Sequence, residues 1–248
     1  LSDFTNVRSN GKIAMKLPEG VELVNARICS EDDDVMLTTD SGRAIRFSST
    51  DLRVMNSRAS TGVRGIRLTG NDKVVSMSVI RHFEATPEER AAYLKMRRAM
   101  AGVTEDEASD DDVPADPNFS QDRYAEMAAV ENLILTITRA GSGKLSSSHD
   151  YPVRGRGGMG VTAMDKAMRG GPVVASFPVE MSDQIMLVTS NGQSIRCPIN
   201  GISFRSRSAG GVRVFNTNGD EKVVSVAYIP DQGDETDEDT VESPQPEK

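Results

Sequence analysis

The chain has 248 residues, 37% of them hydrophobic but only 4% aromatic and none of them Trp, so its cores must be built from Val, Ile, Leu and Met. A formal net charge of −8 would by itself argue against a nucleic-acid partner. Cys29 and Cys197 are too few for a disulfide framework and fit a reducing cytoplasm, and no apolar run reaches the length of a membrane helix. The expectation is a soluble, cytoplasmic protein with no membrane partner. The chain opens without Met and inside a repeat unit, which reads as a piece of a longer polypeptide.

Taken in order, residues 1–30 give half a unit, with strands expected at Lys12–Leu17 and Glu22–Ile28 around a turn at Pro18-Glu19-Gly20. Residues 31–80 give a whole one. Val35–Thr39 and Arg43–Phe47 flank Asp40-Ser41-Gly42, a hairpin whose Gly supplies positive φ, and Val63–Leu68 is expected to pair with Val74–Val79 across Thr69-Gly-Asn-Asp72. Residues 81–130 interrupt the pattern with a helical and acidic insertion. Thr86-Pro-Glu-Glu89 is a capping box with Pro at the first helical position, Ala91–Met100 favours helix, Gly102 stops it, 105–117 is acidic and expected disordered or looped, and Ser120–Val130 is helical again. Residues 131–180 and 181–230 are two more units. The second carries Ser190-Asn-Gly192, where Asn-Gly favours a type I′ turn. Residues 231–248 form an acidic tail expected to be disordered.

The units are copies of one another. Val35-Met-Leu-Thr-Thr-Asp-Ser-Gly42 aligns with Ile185-Met-Leu-Val-Thr-Ser-Asn-Gly192, and both copies close on a Lys-Val-Val-Ser sequence, at Lys73 and Lys222. A divergent copy begins at Asn132, with Ala140-Gly141 at its turn and Met159-Gly160-Val161 at its second landmark. Four short strands recurring near every fifty residues describe blades of a propeller-like circular array, all-β, of about three and a half blades.

No catalytic constellation appears. His82 and His149 lie in different segments without ligand spacing and read as surface or loop histidines, and each Cys reads as a small buried hydrophobe. Gly155-Arg-Gly157-Gly-Met-Gly160 fits GxGxxG, but a strand rather than a helix should follow it, which excludes dinucleotide binding. The bases are more informative. Residues 231–248 hold eight acids against one Lys and residues 81–131 hold thirteen acids against six bases, which leaves the repeats with sixteen acids against twenty-two bases. Arg8, Lys12 and Lys16 belong to the partial unit; Arg43, Arg46, Arg53, Arg58, Arg64 and Arg67 to the first full one; Lys144, Arg154 and Arg156 to the middle one; Arg196, Arg205, Arg207 and Arg213 to the last. Charges at like positions on successive blades would form a belt along the rim. Arg in excess of Lys suits forked contacts to phosphates of duplex DNA, and sparse aromatics disfavour single strands.

Gly11-Lys-Ile-Ala-Met-Lys-Leu17, Asp34-Val-Met-Leu37 with Gly42-Arg-Ala-Ile-Arg-Phe47, Thr61-Gly-Val-Arg-Gly-Ile-Arg-Leu68 and Asp183-Gln-Ile-Met186 resemble the carboxy-terminal domain of the bacterial DNA gyrase A protein. The resemblance covers about 1–80 and 131–229 and implies a β-pinwheel that binds and wraps double-stranded DNA. It implies a parent type II topoisomerase, a heterotetramer of gyrase A and gyrase B proteins that supercoils DNA negatively, with ATP and Mg acting on other domains and no catalytic residue or cofactor here. The family's Gln-Arg-Arg-Gly-Gly-Lys-Gly box is absent, and Arg154–Gly160 is a degenerate echo in which Met159 stands for its Lys. The equivalent domain of topoisomerase IV and a propeller-like protein-interaction module are the alternative readings.

Overall fold

The strands form as alternating apolar runs bounded by turns of one kind. In chain order the elements are β1 (Asp33–Thr39), β2 (Arg43–Ser48), β3 (Val74–Arg81), α1 (Pro87–Met100), α2 (Gln121–Ala129), β4 (Leu133–Thr138), β5 (Ser142–Ser147), β6 (Val161–Thr162), β7 (Val173–Val179), β8 (Gln184–Thr189), β9 (Ser194–Pro198), β10 (Val212–Arg213) and β11 (Val223–Ile229). They are seen in a computed structural model, which describes residues 5–7, 9–55, 60–103, 113–165, 170–217 and 219–231. Each β-hairpin reverses on a Gly in the left-handed region, Gly42, Gly141 and Gly192, at φ 80°, 79° and 80°. The N–H of each donates to Thr39, Thr138 or Thr189 three residues earlier. The same threonine hydroxyls accept from the N–H of Arg43, Ser142 and Gln193, so each turn is closed twice. The Asn191-Gly192 turn is not type I′, because type I′ requires positive φ at both central residues and Asn191, like every described non-Gly residue, does not have it. It is the longer loop that ends on a left-handed Gly, the form the other two repeats also use.

The sheets are ordered β3-β1-β2-β6, β10-β5-β4-β7 and β11-β8-β9, all antiparallel. The fourth strand of a sheet comes from the following repeat. β6 of the second unit pairs with β2 of the first, Arg43 opposite Thr162, and β10 of the third pairs with β5 of the second, Val212 opposite Gly143. This corrects the expected pairing of Val63–Leu68 with Val74–Val79. β3 pairs with β1 instead, and 63–68 is irregular, because a segment of this kind is an outer strand only when a preceding repeat supplies the edge. Lys12–Leu17 and Glu22–Ile28 are likewise not strands. Among the described residues no ladder runs beside them, and an isolated extended segment gains too little from backbone pairing to hold.

Exchange of the outer strand needs close backbone approach. A Cβ on Gly160 would lie 2.2 Å from Ala44 O, and one on Gly211 would lie 2.8 Å from Gly143 N. Glycine at both positions lets each incoming strand seat on its acceptor.

The faces of successive sheets then close on one another. Met36, Ala44 and Ile80 of the first pack against Ile134, Tyr151 and Ala163, while Leu135, Ile137, Leu145 and Val179 of the second pack against Ile185, Leu187 and Val223. The first joint is the smaller apolar cluster, and it carries a buried ion pair described below. β3, β7 and β11 face one another on the inner side, where the Ser76 hydroxyl donates to Ser176 O, and a cleft of about 650 Å³ opens between these strands and Arg27. β6 and β10 occupy the opposite, outer edge.

The insertion is a packed helical hairpin. Thr86 and Glu89 close the expected capping box, and Ser120 caps α2. Tyr93, Leu94 and Met127 are buried among Phe83, Phe119 and Tyr124, with the Tyr93 and Tyr124 rings stacked at 4.9 Å. This hairpin corrects the reading of His149, which is 3% exposed rather than on a surface loop. Its ring meets Tyr93 edge-on at 4.9 Å, and its Nε2 donates to Met127 O at 2.9 Å, so Nδ1 is the bare nitrogen. Cys29, expected to be buried, is exposed, since it follows the same unpaired stretch.

The two histidines titrate in opposite directions. Burial, with the nearby Arg46 and Arg90 cations, holds His149 below its ordinary value despite the Met127 carbonyl and Glu131. The stability it contributes is therefore present above about pH 6.5 and lost as pH falls toward its folded pKa. Hydrogen bonds donated to the Glu84 and Asp34 carboxylates raise His82, so its contribution is present below pH about 6.5 and lost as pH rises through its folded pKa. Thermal melts at pH 7.5 and 5.5 are expected to show a loss on acidification that His149→Phe flattens and His82→Ala steepens.

Candidate nucleic-acid interface

The sixteen candidate bases divide into four groups. Arg8 and Arg58 lie outside the described residues. Lys16, Arg53, Arg64, Arg67, Arg154, Arg156, Arg196 and Arg213 are exposed, and Lys12, Arg43 and Arg205 are half-buried. Arg46, Lys144 and Arg207 are 4%, 0% and 2% exposed.

The buried three are corrections to the rim belt. Arg46 stands on β2, on the face it shares with Met36 and Ala44, and its Nε donates to Asp34 at 2.7 Å. Its other nitrogens donate to Ser148 O at 2.8 Å in the second unit and to Arg81 O at 3.1 Å. Asp34, fully buried, also faces His82 Nδ1 at 2.8 Å. Lys144 aims its ammonium at three carbonyls of the third unit, Ser206 at 2.8 Å, Arg207 at 2.5 Å and Ala209 at 2.6 Å. Burial drives its pKa down to about 7. Arg207 returns the grip. Its Nε donates to Asp150 O and its Nη1 to Thr162 O, both at 2.8 Å, and its carboxylate partner is Asp150 at 3.6 Å. Burial holds that carboxyl above the usual range against Arg207 and Lys144. Arg43 does the same work half-exposed, donating to Gly160 O at 2.7 Å. These bases fasten one repeat to the next, because a charge buried at a joint is tolerated only where carbonyls and carboxylates surround it.

The exposed bases gather on the outer edge. Gly157 N donates to Gly65 O and Arg67 N to Gly158 O, which lays residues 154–158 along 64–67 and brings Arg64, Arg67, Arg154 and Arg156 together. The pattern recurs one repeat on. Arg154 N donates to Arg46 O and Arg205 N to Leu145 O, each at 2.8 Å, so Arg154 and Arg205 hold equivalent places ahead of β6 and β10. Arg156 and Arg207 are also equivalent, each Nε reaching the carbonyl of the Asp that ends the preceding unit's 3-10 turn, Asp51 at 3.0 Å and Asp150 at 2.8 Å. Arg156 therefore combines a joint contact with exposure. Arg213, on β10, donates to Asn216 at 3.2 Å, and Arg196 stands out from β9. The edge offers guanidinium groups at a repeating spacing and no carboxylate cluster with metal-binding potential among the described residues. GxGxxG at Gly155–Gly160 leads into β6, not a helix, and serves strand exchange.

A chain of repeats in which the first two sheets take their outer strand from the following repeat, with arginines on or ahead of that strand, is a β-pinwheel. The chain belongs to the family described as the DNA gyrase C-terminal domain, beta-propeller, whose profile matches residues 1–30, 33–81, 132–178 and 183–230. It is 45% identical to the DNA gyrase A protein of Granulibacter bethesdensis over 257 residues, covering 96% of this chain and 27% of that protein. It is 31% identical to the DNA gyrase A protein of Escherichia coli, covering 98% of this chain and 22% of that protein. The chain thus spans about a quarter of the length of the curated relatives it matches. A gyrase A C-terminal domain structure superposes with a TM-score of 0.63 at 22% identity, covering 92% of this chain and 60% of that one. The C-terminal domain of DNA topoisomerase IV superposes at 0.65 and 17% identity, covering 92% and 56%, which speaks to fold alone.

Proposed function

We propose that this chain binds and bends duplex DNA along its outer edge, as the DNA-wrapping part of a cytoplasmic type II topoisomerase of gyrase type. The observation that carries the reading is the recurrence of arginines at equivalent places ahead of successive outer strands, Arg154 exposed and Arg205 half-buried, with the exposed Arg64, Arg67 and Arg213 beside them. Guanidinium groups on a convex edge neutralise phosphates one after another, and the counterions released offset a bending cost of several kcal/mol. Sequence relatives named as gyrase A proteins support gyrase over topoisomerase IV. In that enzyme the wrapped segment would be presented for strand passage, alongside the remainder of the gyrase A protein and its gyrase B partner, with ATP and Mg acting on other domains and supercoiling driven negative.

The test is a salt titration of affinity for a long duplex. Arg64→Gln, Arg67→Gln, Arg154→Gln and Arg213→Gln combined are expected to weaken binding on the order of a hundredfold or more at about 0.1 M salt and to flatten the slope of log K against log salt by about 3 to 4. An unchanged slope would remove the outer edge from the interface.

A further inference from the structure

Three consecutive residues of the second unit are each held by a different body. Ser148 O accepts from Arg46 of the first unit, the His149 ring donates to Met127 O of the insertion, and Asp150 accepts from Arg207 of the third unit. The insertion leaves the first unit at the end of β3, rests on this turn, and reaches further. The Arg97 guanidinium lies 4.5 Å over the Phe204 ring, in the loop ahead of β10, and is anchored by Glu131 at 3.1 Å. Phe204 bridges Leu145 in parallel and precedes Arg205, so a grip on Phe204 is a grip on the outer edge.

We propose that Arg97, with the helical hairpin that carries it, is a positioning residue that sets the angle of the third repeat against the first two, and thereby the path of DNA along the rim. The second half of this statement rests on the DNA-wrapping reading above. Arg97 itself need touch no phosphate. A cation over an aromatic face, fixed by the carboxylate of Glu131 just past α2, is directional and short-ranged, and it adds a contact from the insertion to the Lys144 and Arg207 fasteners already at the joint of the second and third units.

Two measurements on the full chain separate the halves. Spin labels at Asp51→Cys and Gln193→Cys, with Cys29→Ser and Cys197→Ser, report the distance between first and third units. Arg97→Ala is expected to broaden that distribution at least twofold, and Arg97→Lys, which keeps a cation over the ring, to restore most of it; Phe204→Leu removes the same contact from the other side should Arg97→Ala fold poorly. An unchanged distribution in both Arg97→Ala and Phe204→Leu overturns the proposal. On relaxed plasmid, Arg97→Ala is expected to halve the linking-number change per bound chain or reduce it further while shifting duplex Kd less than twofold. A proportional loss of affinity would make Arg97 a DNA contact and overturn it also. A broadened distribution in a chain whose unmutated form binds no DNA would uphold the brace and refute the DNA-wrapping reading alone.

Discussion

Replacing Gly160 with valine is expected to cost about 2 to 5 kcal/mol and to expel β6 from the first sheet. Two terms make up the cost. The new Cβ would stand 2.2 Å from Ala44 O and 2.7 Å from its carbonyl carbon, and neither can move without breaking the β2–β6 pairing; overpacking of this kind costs about 1 to 3 kcal/mol. Gly160 also has φ 69°, which costs an L-residue about 1 to 2 kcal/mol. Gly155 provides the contrast. Nothing lies within 4 Å of its Cβ direction, so Gly155→Ala should change stability by less than about 1 kcal/mol in either sense. Urea unfolding of the two variants checks this, and equal costs would mean that β6 does not seat on β2 in solution.

The second large effect belongs to Arg46. Arg46→Met leaves Asp34, wholly buried, facing only His82, and strips the guanidinium donors from Ser148 O and Arg81 O. Removing one member of a buried ion pair costs about 3 to 5 kcal/mol, whereas replacing both by apolar groups is often close to neutral. Arg46→Met with Asp34→Leu is therefore expected to be more stable than Arg46→Met alone. Stability measured across the double-mutant cycle decides it. A loss under about 1 kcal/mol in Arg46→Met would return this residue to the solvent-facing rim arginines.

Much of this was legible in the residues. The turn glycines, the capping box at Thr86 and the repeat period all report local geometry, and local geometry is what short patterns encode. Strand exchange was not legible, because Val161-Thr162 looks the same whether it pairs within its own unit or on β2. Only the glycine before it, crowded by Ala44, marks the difference. For Arg46 a signal was present. Strand alternation puts it on the face of Met36 and Ala44, with Asp34 diagonally across, so an apolar face carrying one Arg and one Asp already describes a buried pair. Lys144 shares its face with Ile134 in the same way. Arg207 gave no such signal, since its loop has no period and its partner Asp150 is 57 residues away. Counting bases by repeat thus mixed the exposed bases of the outer edge with the buried fasteners beneath it.

For the function proposed, the outer edge must bend DNA rather than merely attract it. The most direct measurement is the linking number of a relaxed plasmid closed by ligase in the presence of the chain. A shift that grows with bound protein, shrinks with salt and vanishes in the Arg64, Arg67, Arg154 and Arg213 to Gln variant is the predicted result. Saturating, salt-sensitive binding with no shift in linking number would contradict it.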